Sequence, residues 1–307
     1  MIPRTQLFEN PWFVRPAPEP PSLPVGTLPR QHARLPCGDV TYLRHGSGPP
    51  LLLVHGVPTS ARLWEPLLGD LGAHFDCIAP DLLGLGRSRA APGGDVSSPG
   101  QATMLEQLLD HLGIDDVLLA LHDQGGAHGL RFLDRCGDRV RAVVMADVVC
   151  YDNWEVPAVR LIARACRWPR AVHALTRAGL VEGPMRRAWP FPQTAFRGPL
   201  PAGMVDEWMA PMRNGGADLD AFAGYMRGQS AEHTADTARI VRGFTKPALV
   251  IWAAHDYFLM PSWGVRLARD LPGAPDDPVL LPFAGHFFHA DVPRTAAGIY
   301  VDFLTAV

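Results

Sequence analysis

Apolar residues along the chain gather in short unbroken runs: Pro50–Val54, Phe75–Ala79, Val117–Leu121, Val140–Ala146, Ala248–Ala253 and Val279–Phe283. Each run has strand length and does not alternate with polar residues, which predicts parallel strands covered on both faces. Stretches between them, such as Met104–Leu112 and Gly129–Arg135, read as helices. The alternation predicts an α/β layered domain, a mostly parallel central sheet with helices on both faces. Ligands in such folds bind beyond the carboxyl ends of the strands. His32–Leu35 and Val40–Arg44 flank a Cys-Gly-Asp turn and read as a hairpin.

The rhythm fails in two places. Residues 1–30 hold Pro16, Pro18, Pro20, Pro21 and Pro24. Each proline removes a backbone donor, so this segment is expected to be an extended arm on the surface. From about Tyr151 to Phe244 the chain is rich in Trp, Phe, Met, Pro and Arg in helix-like patterns with no clear strand. These observations divide the chain into an arm (1–30), a core (31–150 and 245–307) and a helical cap over the carboxyl ends of the strands (151–244). No fixed-period repeat is visible.

Composition narrows the class. The chain has 307 residues, 47% hydrophobic, enough for a large core. The net charge of −3 offers no electrostatic reason to expect nucleic acid or an anionic membrane as partner. Five widely spaced cysteines without a CxxC argue against a disulfide framework or zinc site and fit a reducing cytoplasm, with Cys77 and Cys150 as buried small hydrophobes. The N-terminus has no continuous apolar stretch of a signal peptide, and no run approaches the ~20 residues of a membrane span. Gly84-Leu-Gly86-Arg-Ser lacks the length and lysine of a phosphate loop, and His122 and His128 are not spaced as a ligand pair; neither cofactor nor metal is expected.

The chemistry concentrates at four places. Leu121-His122-Asp123-Gln124-Gly125-Gly126 follows an apolar strand and opens a helix, the setting of a nucleophile elbow. Its central residue is Asp123, and no G-x-S-x-G occurs anywhere. A carboxylate there attacks an sp³ carbon and forms an ester; the plainer reading is a helix-capping aspartate. His55-Gly56-Val57-Pro58, after the strand ending at Val54, suits an oxyanion loop, with the backbone N–H groups of Val57 and Gln124 as donors. His286, in Ala284-Gly285-His286-Phe287 after the last strand, is the expected general base. Asp256, ending the strand Ala248–Ala253, is the expected acid that orients it, with Asp147 as the alternative.

At these motifs the sequence resembles the aspartate-nucleophile branch of the α/β-hydrolase superfamily, the haloalkane dehalogenases and epoxide hydrolases. The likeness covers nearly the whole chain. It includes His55-Gly-Val-Pro-Thr-Ser, Ala79-Pro-Asp-Leu-Leu-Gly-Leu-Gly-Arg-Ser88, the Asp123 elbow and Gly285-His286-Phe287, with Arg4-Thr5 to Phe13 and Trp208-Met-Ala-Pro-Met212 pointing to the dehalogenases. The resemblance implies the α/β-hydrolase fold. Two departures stand out: Gln124 occupies the place of a halide-holding tryptophan, and Val57 that of an asparagine. Trp154, Trp189 or Trp208 could replace the missing donor. Of the two lid tyrosines of epoxide hydrolases, Tyr225 is the best-placed match. The expected substrate-binding residues are therefore His55, Pro58, His122, Trp154, Trp189, Trp208, Tyr225 and Phe287.

The expectation is a hydrolase acting at an sp³ carbon of a hydrophobic small molecule, by epoxide opening or carbon–halogen cleavage through a covalent Asp123 ester. The alternatives are a non-hydrolytic lyase or cyclase using Asp123 and His286 as acid and base, and a ligand-binding protein without catalysis.

Overall fold

A computed structural model describes residues 17–154, 156–178, 180, 198 and 200–307. Among them a nine-stranded sheet forms from β1 (Gln31–Leu35), β2 (Gly38–His45), β3 (Pro50–Val54), β4 (Asp76–Pro80), β5 (Arg89–Ala90), β6 (Val117–Asp123), β7 (Val140–Val148), β8 (Ala248–Ala253) and β9 (Val279–Leu281). The order is β1-β2-β4-β3-β6-β7-β8-β9, with β5 paired to β2. Strands β1, β2 and β5, and the β2–β4 pair, run antiparallel; every pair from β4 through β3 to β9 is parallel.

The apolar runs are continuous because both faces are covered. In β3, Leu52 and Val54 face one core while Leu51 and Leu53 face the other. In β6, Leu119 and Leu121 alternate in the same way with Leu118 and Ala120. One face is covered by helices α1 (Glu65–Leu71) and, at the chain end, Pro293–Leu304; the other by α2 (Ser98–Leu112) and α3 (Gly125–Cys136). Helices therefore flank both sides of a mostly parallel sheet, as the pattern predicts.

Between β7 and β8 the described chain forms α4 (Pro157–Ala165), α5 (Pro169–Arg177), α6 (Ala202–Asn214), α7 (Gly216–Gly228) and α8 (Thr237–Gly243). Of these, α4 and α7 carry pocket-lining positions described below. Ile240 and Val241 of α8 belong to the main core. After β8 follow α9 (Ser262–Asp270), α10 (Phe288–Asp291) and α11 (Pro293–Leu304).

The described part of the proline-rich segment, residues 17–30, has no helix or strand and is pinned to the core by its backbone. The N–H groups of Gly26 and Leu28 donate to the Glu65 carboxylate at 2.6 and 2.8 Å, and that of Glu19 to the Asp291 carbonyl at 3.0 Å. All five cysteines are free thiols, Cys77 and Cys150 buried. Among the described residues no helix is long and apolar enough to cross a membrane.

Candidate active site

Parallel order brings the carboxyl ends of β3, β6, β7, β8 and β9 side by side, and the loops that follow them meet above the sheet. Asp123 is the last residue of β6, and α3 begins two residues later. It sits at φ 53°, a left-handed conformation that a non-glycine residue adopts only where its surroundings enforce it. The neighbours must be small. A Cβ on Gly56 would come within 2.0 Å of Asp123 Oδ1, and one on Gly125 within 2.5 Å of the Val54 carbonyl oxygen.

The Asp123 carboxylate has two distinct oxygens. Oδ1 accepts the Val57 N–H at 2.7 Å. Oδ2 lies 3.4 Å from Nε2 of His286. Across the imidazole, Nδ1–H donates to Asp256 Oδ2 at 2.8 Å. Asp256 is fixed in turn, its Oδ1 accepting the N–H groups of Phe258 (2.8 Å) and Leu259 (2.9 Å). Asp123, His286 and Asp256 therefore form one row, and all three are buried.

Asp147, the alternative acid, does not join this row. Its Oδ1 accepts the Ala253 N–H at 2.9 Å and Oδ2 has no partner among the described residues. Burial, reinforced by the nearby Asp256 charge, raises its pKa well above the carboxylate range, so it is held protonated. Asp256 takes the place beside His286.

The charges in the row set each other. Burial alone would raise the Asp123 pKa, but the hydrogen bond and charge of His286 outweigh it, with help from the Gln124 N–H, and the net direction is down. Burial would lower the His286 pKa, but the Asp256 and Asp123 carboxylates on either side lift it well above the usual histidine value.

The row opens into an apolar pocket. Val57, Pro58 and Phe287 border it from the core loops, with Val149, Phe258 and Leu259 beside them. Trp154, Val156, Val159 and Ile162 close it from the start of the insert, and Phe222 and Met226 from α7. Of the residues anticipated as substrate contacts, Pro58, Trp154 and Phe287 line this pocket. The buried indole N–H of Trp154 has no partner among the described residues. Trp189 lies outside the described residues.

Four other anticipated contacts point elsewhere, and these are corrections. His55 has a structural role: its Nδ1–H donates to the Gly56 carbonyl at 2.8 Å and its Nε2 accepts the Leu82 N–H at 3.1 Å. His122 precedes Asp123 in a strand, so its side chain leaves by the opposite face. There its Nε2–H donates to the His286 carbonyl at 2.9 Å, and its ring packs edge-on against His289. Trp208 packs against Phe287 with ring centroids 4.7 Å apart, in a cluster with Leu63 and Met204. Tyr225 donates to Nε2 of His128 at 2.8 Å.

That last contact belongs to a buried polar chain that the sequence does not announce. His128 Nδ1–H donates to Ser98 Oγ at 3.0 Å, and the Ser98 hydroxyl to Gln229 Oε1 at 3.3 Å. Gln124 Nε2 donates to the same oxygen at 3.4 Å. Burial lowers the His128 pKa to about 3, keeping the ring neutral as this chain of donors requires. Gln124 thus ties the turn at Asp123 to the end of α7. Sequence reading also missed the pocket wall. Its signal was the helical spacing of Val156, Val159 and Ile162 and of Phe222 and Met226.

Fold and site define the class. Residues 49–293 match the profile of the alpha/beta hydrolase fold, and the chain belongs to this family. It is an α/β-fold hydrolase of the haloalkane dehalogenase and epoxide hydrolase kind. Haloalkane dehalogenase 2 of Mycobacterium bovis is 30% identical over 280 residues, covering 87% of this chain and 92% of that protein. The soluble epoxide hydrolase of a Corynebacterium species is 34% identical over 126 residues, 39% of this chain and 44% of its own. Among solved structures, an α/β hydrolase fold protein from Burkholderia ambifaria superposes with a TM-score of 0.75 at 24% identity, covering 91% of this chain and 98% of that one; it shares the fold.

Proposed function

We propose that this hydrolase cleaves a carbon–halogen bond at an sp³ carbon of a hydrophobic small molecule, through a covalent ester on Asp123. The observation that carries this reading is the division of labour between the two Asp123 oxygens. Oδ1 is held by the Val57 N–H at 2.7 Å, and Oδ2 lies 3.4 Å from Nε2 of His286, in a residue that lines the pocket.

In the first step Oδ2 attacks the carbon and the halide leaves with the bonding pair. The Trp154 indole N–H is available to it, since it lines the pocket and has no partner among the described residues. In the second step His286 Nε2 takes a proton from water, and the resulting hydroxide adds to the Asp123 carboxyl carbon. Oδ1 becomes an oxyanion at the N–H groups of Val57 and Gln124. The bond between the carboxyl carbon and Oδ2 then breaks, the alcohol leaves with the carboxyl proton, and His286 stays protonated beside the regenerated Asp123 carboxylate.

The electrostatics time these steps. While Asp123 is a carboxylate, it helps Asp256 hold His286 protonated. Ester formation removes the Asp123 charge, His286 then gives its proton to solvent, and it becomes a base when a base is needed.

Two observations favour halide over epoxide. The Tyr225 hydroxyl is engaged by His128. Indole donates a hydrogen bond but not a proton, which suffices for halide and not for an opening alkoxide. In sequence, the Mycobacterium bovis dehalogenase also aligns over 87% of this chain, whereas the Corynebacterium epoxide hydrolase aligns over 39%.

Single turnover in ¹⁸O-water with enzyme in excess tests the mechanism. The label is expected in the Asp123 peptide and not in the first alcohol formed; label in that alcohol overturns it.

A further inference from the structure

Helix α4 separates two spaces. Val159 and Ile162 line the apolar pocket. The adjoining stripe, Arg160, Ala163 and Arg164, continues to Arg167 and lines a second, more open groove. Its opposite wall is Met226, Arg227 and Gln229 from the end of α7. Met226 borders both spaces, so the groove adjoins the pocket over Asp123 at this flexible side chain.

The groove is basic. Residues 156–178 hold five arginines and no Asp or Glu, in a chain with 28 basic and 31 acidic residues. Among the described residues lining the groove there is no acid, and no described carboxylate pairs with Arg164 or Arg167. Arg227 is oriented by donating to the Cys166 carbonyl at 3.2 Å. A cation in the last turn of a helix is favourable in itself, which covers Arg164 in α4 and Arg227 in α7 singly. It does not account for two helix ends and Arg167 converging on one groove. Guanidinium groups so gathered suit a carboxylate or phosphate, which they bind through paired N–H donors.

We infer that this groove binds the anionic end of the substrate. The substrate is an amphipathic anion, an aliphatic chain with a carboxylate-type headgroup at Arg164, Arg167 and Arg227, whose reactive carbon reaches Asp123 past Met226. This specifies the substrate class of the site proposed above and rests on that reading.

The test is calorimetric titration of the wild type and of Arg164→Glu/Arg167→Glu with octanoate, and with 1-octanol as the neutral control. Both arginines are exposed, and circular dichroism checks that the variant is folded. Octanoate is expected to bind the wild type and to weaken about tenfold in the variant, while octanol changes by less than about twofold. Arg164→Lys/Arg167→Lys should restore most of the octanoate affinity. Octanoate binding no tighter than octanol, or unaffected by charge reversal, overturns the inference. So does charge reversal that abolishes co-sedimentation with phosphatidylglycerol vesicles and leaves octanoate binding intact, since the groove would then serve a membrane surface. Titration requires no reaction at Asp123, so failure of the ester chemistry and failure of the groove are read separately.

Discussion

The Tyr225 hydroxyl donates to Nε2 of His128 across 2.8 Å, a bond between α7 and the helix that follows Asp123. The tyrosine is wholly buried and is not among the residues bordering the pocket. Tyr225→Phe should therefore leave kcat within about threefold and cost about 1–3 kcal/mol of stability, because the His128 nitrogen loses the donor it has among the described residues in a buried site. Denaturant unfolding and steady-state rates together check this. A loss in kcat of about a hundredfold or more without a stability change would instead make Tyr225 a proton donor to substrate.

Two aspartates near His286 should respond in opposite ways. Asp256 accepts the imidazole N–H at 2.8 Å, whereas Asp147 is bonded to the Ala253 N–H and held protonated by burial. Asp256→Asn should reduce turnover by about 10²–10⁴-fold, the scale of losing an orienting carboxylate. Asp147→Asn replaces a neutral acid with a neutral amide and should change turnover by less than about tenfold. Steady-state kinetics of the two variants decides; the reverse order would exchange their roles.

The buried histidines should make the fold sensitive to acid. Burial lowers the pKa of His122 and His128 to about 3, that of His55 below the usual value and that of His289 well below it. Between pH 6.5 and about 3 the unfolded chain binds protons that the folded chain refuses at His122 and His128, and His55 and His289 act in the same direction. Stability is thus expected to fall with pH in that window, by up to about 1.4 kcal/mol per ring per unit. His286 acts in the other direction. Its raised pKa contributes stability that is fully present below about pH 6.5 and is lost as pH rises through the folded value. His128→Asn should flatten the acid limb and His286→Ala the alkaline one, by thermal melts across pH. An acid limb unchanged in His128→Asn contradicts the neutral, buried ring.

The sheet was legible because its strands are covered on both sides: Pro50–Val54 and Ala248–Ala253 coincide with β3 and β8. Where polar residues enter a strand the run stops early, and β6 and β7 extend to Asp123 and Val148, beyond the apolar limits of Leu121 and Ala146. Strand β5 pairs only Arg89 and Ala90, too short for any pattern. Asp123, His286 and Asp256 were legible because each follows a recognisable strand. Side-chain direction was not. His55 and His122 adjoin the site in sequence yet turn into the packing, and Trp208 and Tyr225 stand on insert helices whose apolar residues serve core and pocket alike. Which face meets the pocket is set by tertiary placement, beyond what helical spacing contains.

The covalent ester is most directly tested with His286→Ala, which lacks the base for the second step. Intact-mass measurement after exposure to a panel of haloalkanes and epoxides, with peptide mapping, reads the outcome. The expected result is a stable adduct on the Asp123 peptide, equal in mass to the haloalkane less hydrogen halide. Turnover of a haloalkane by the wild type, with no adduct from that compound on Asp123 in His286→Ala, would contradict nucleophilic attack by this carboxylate.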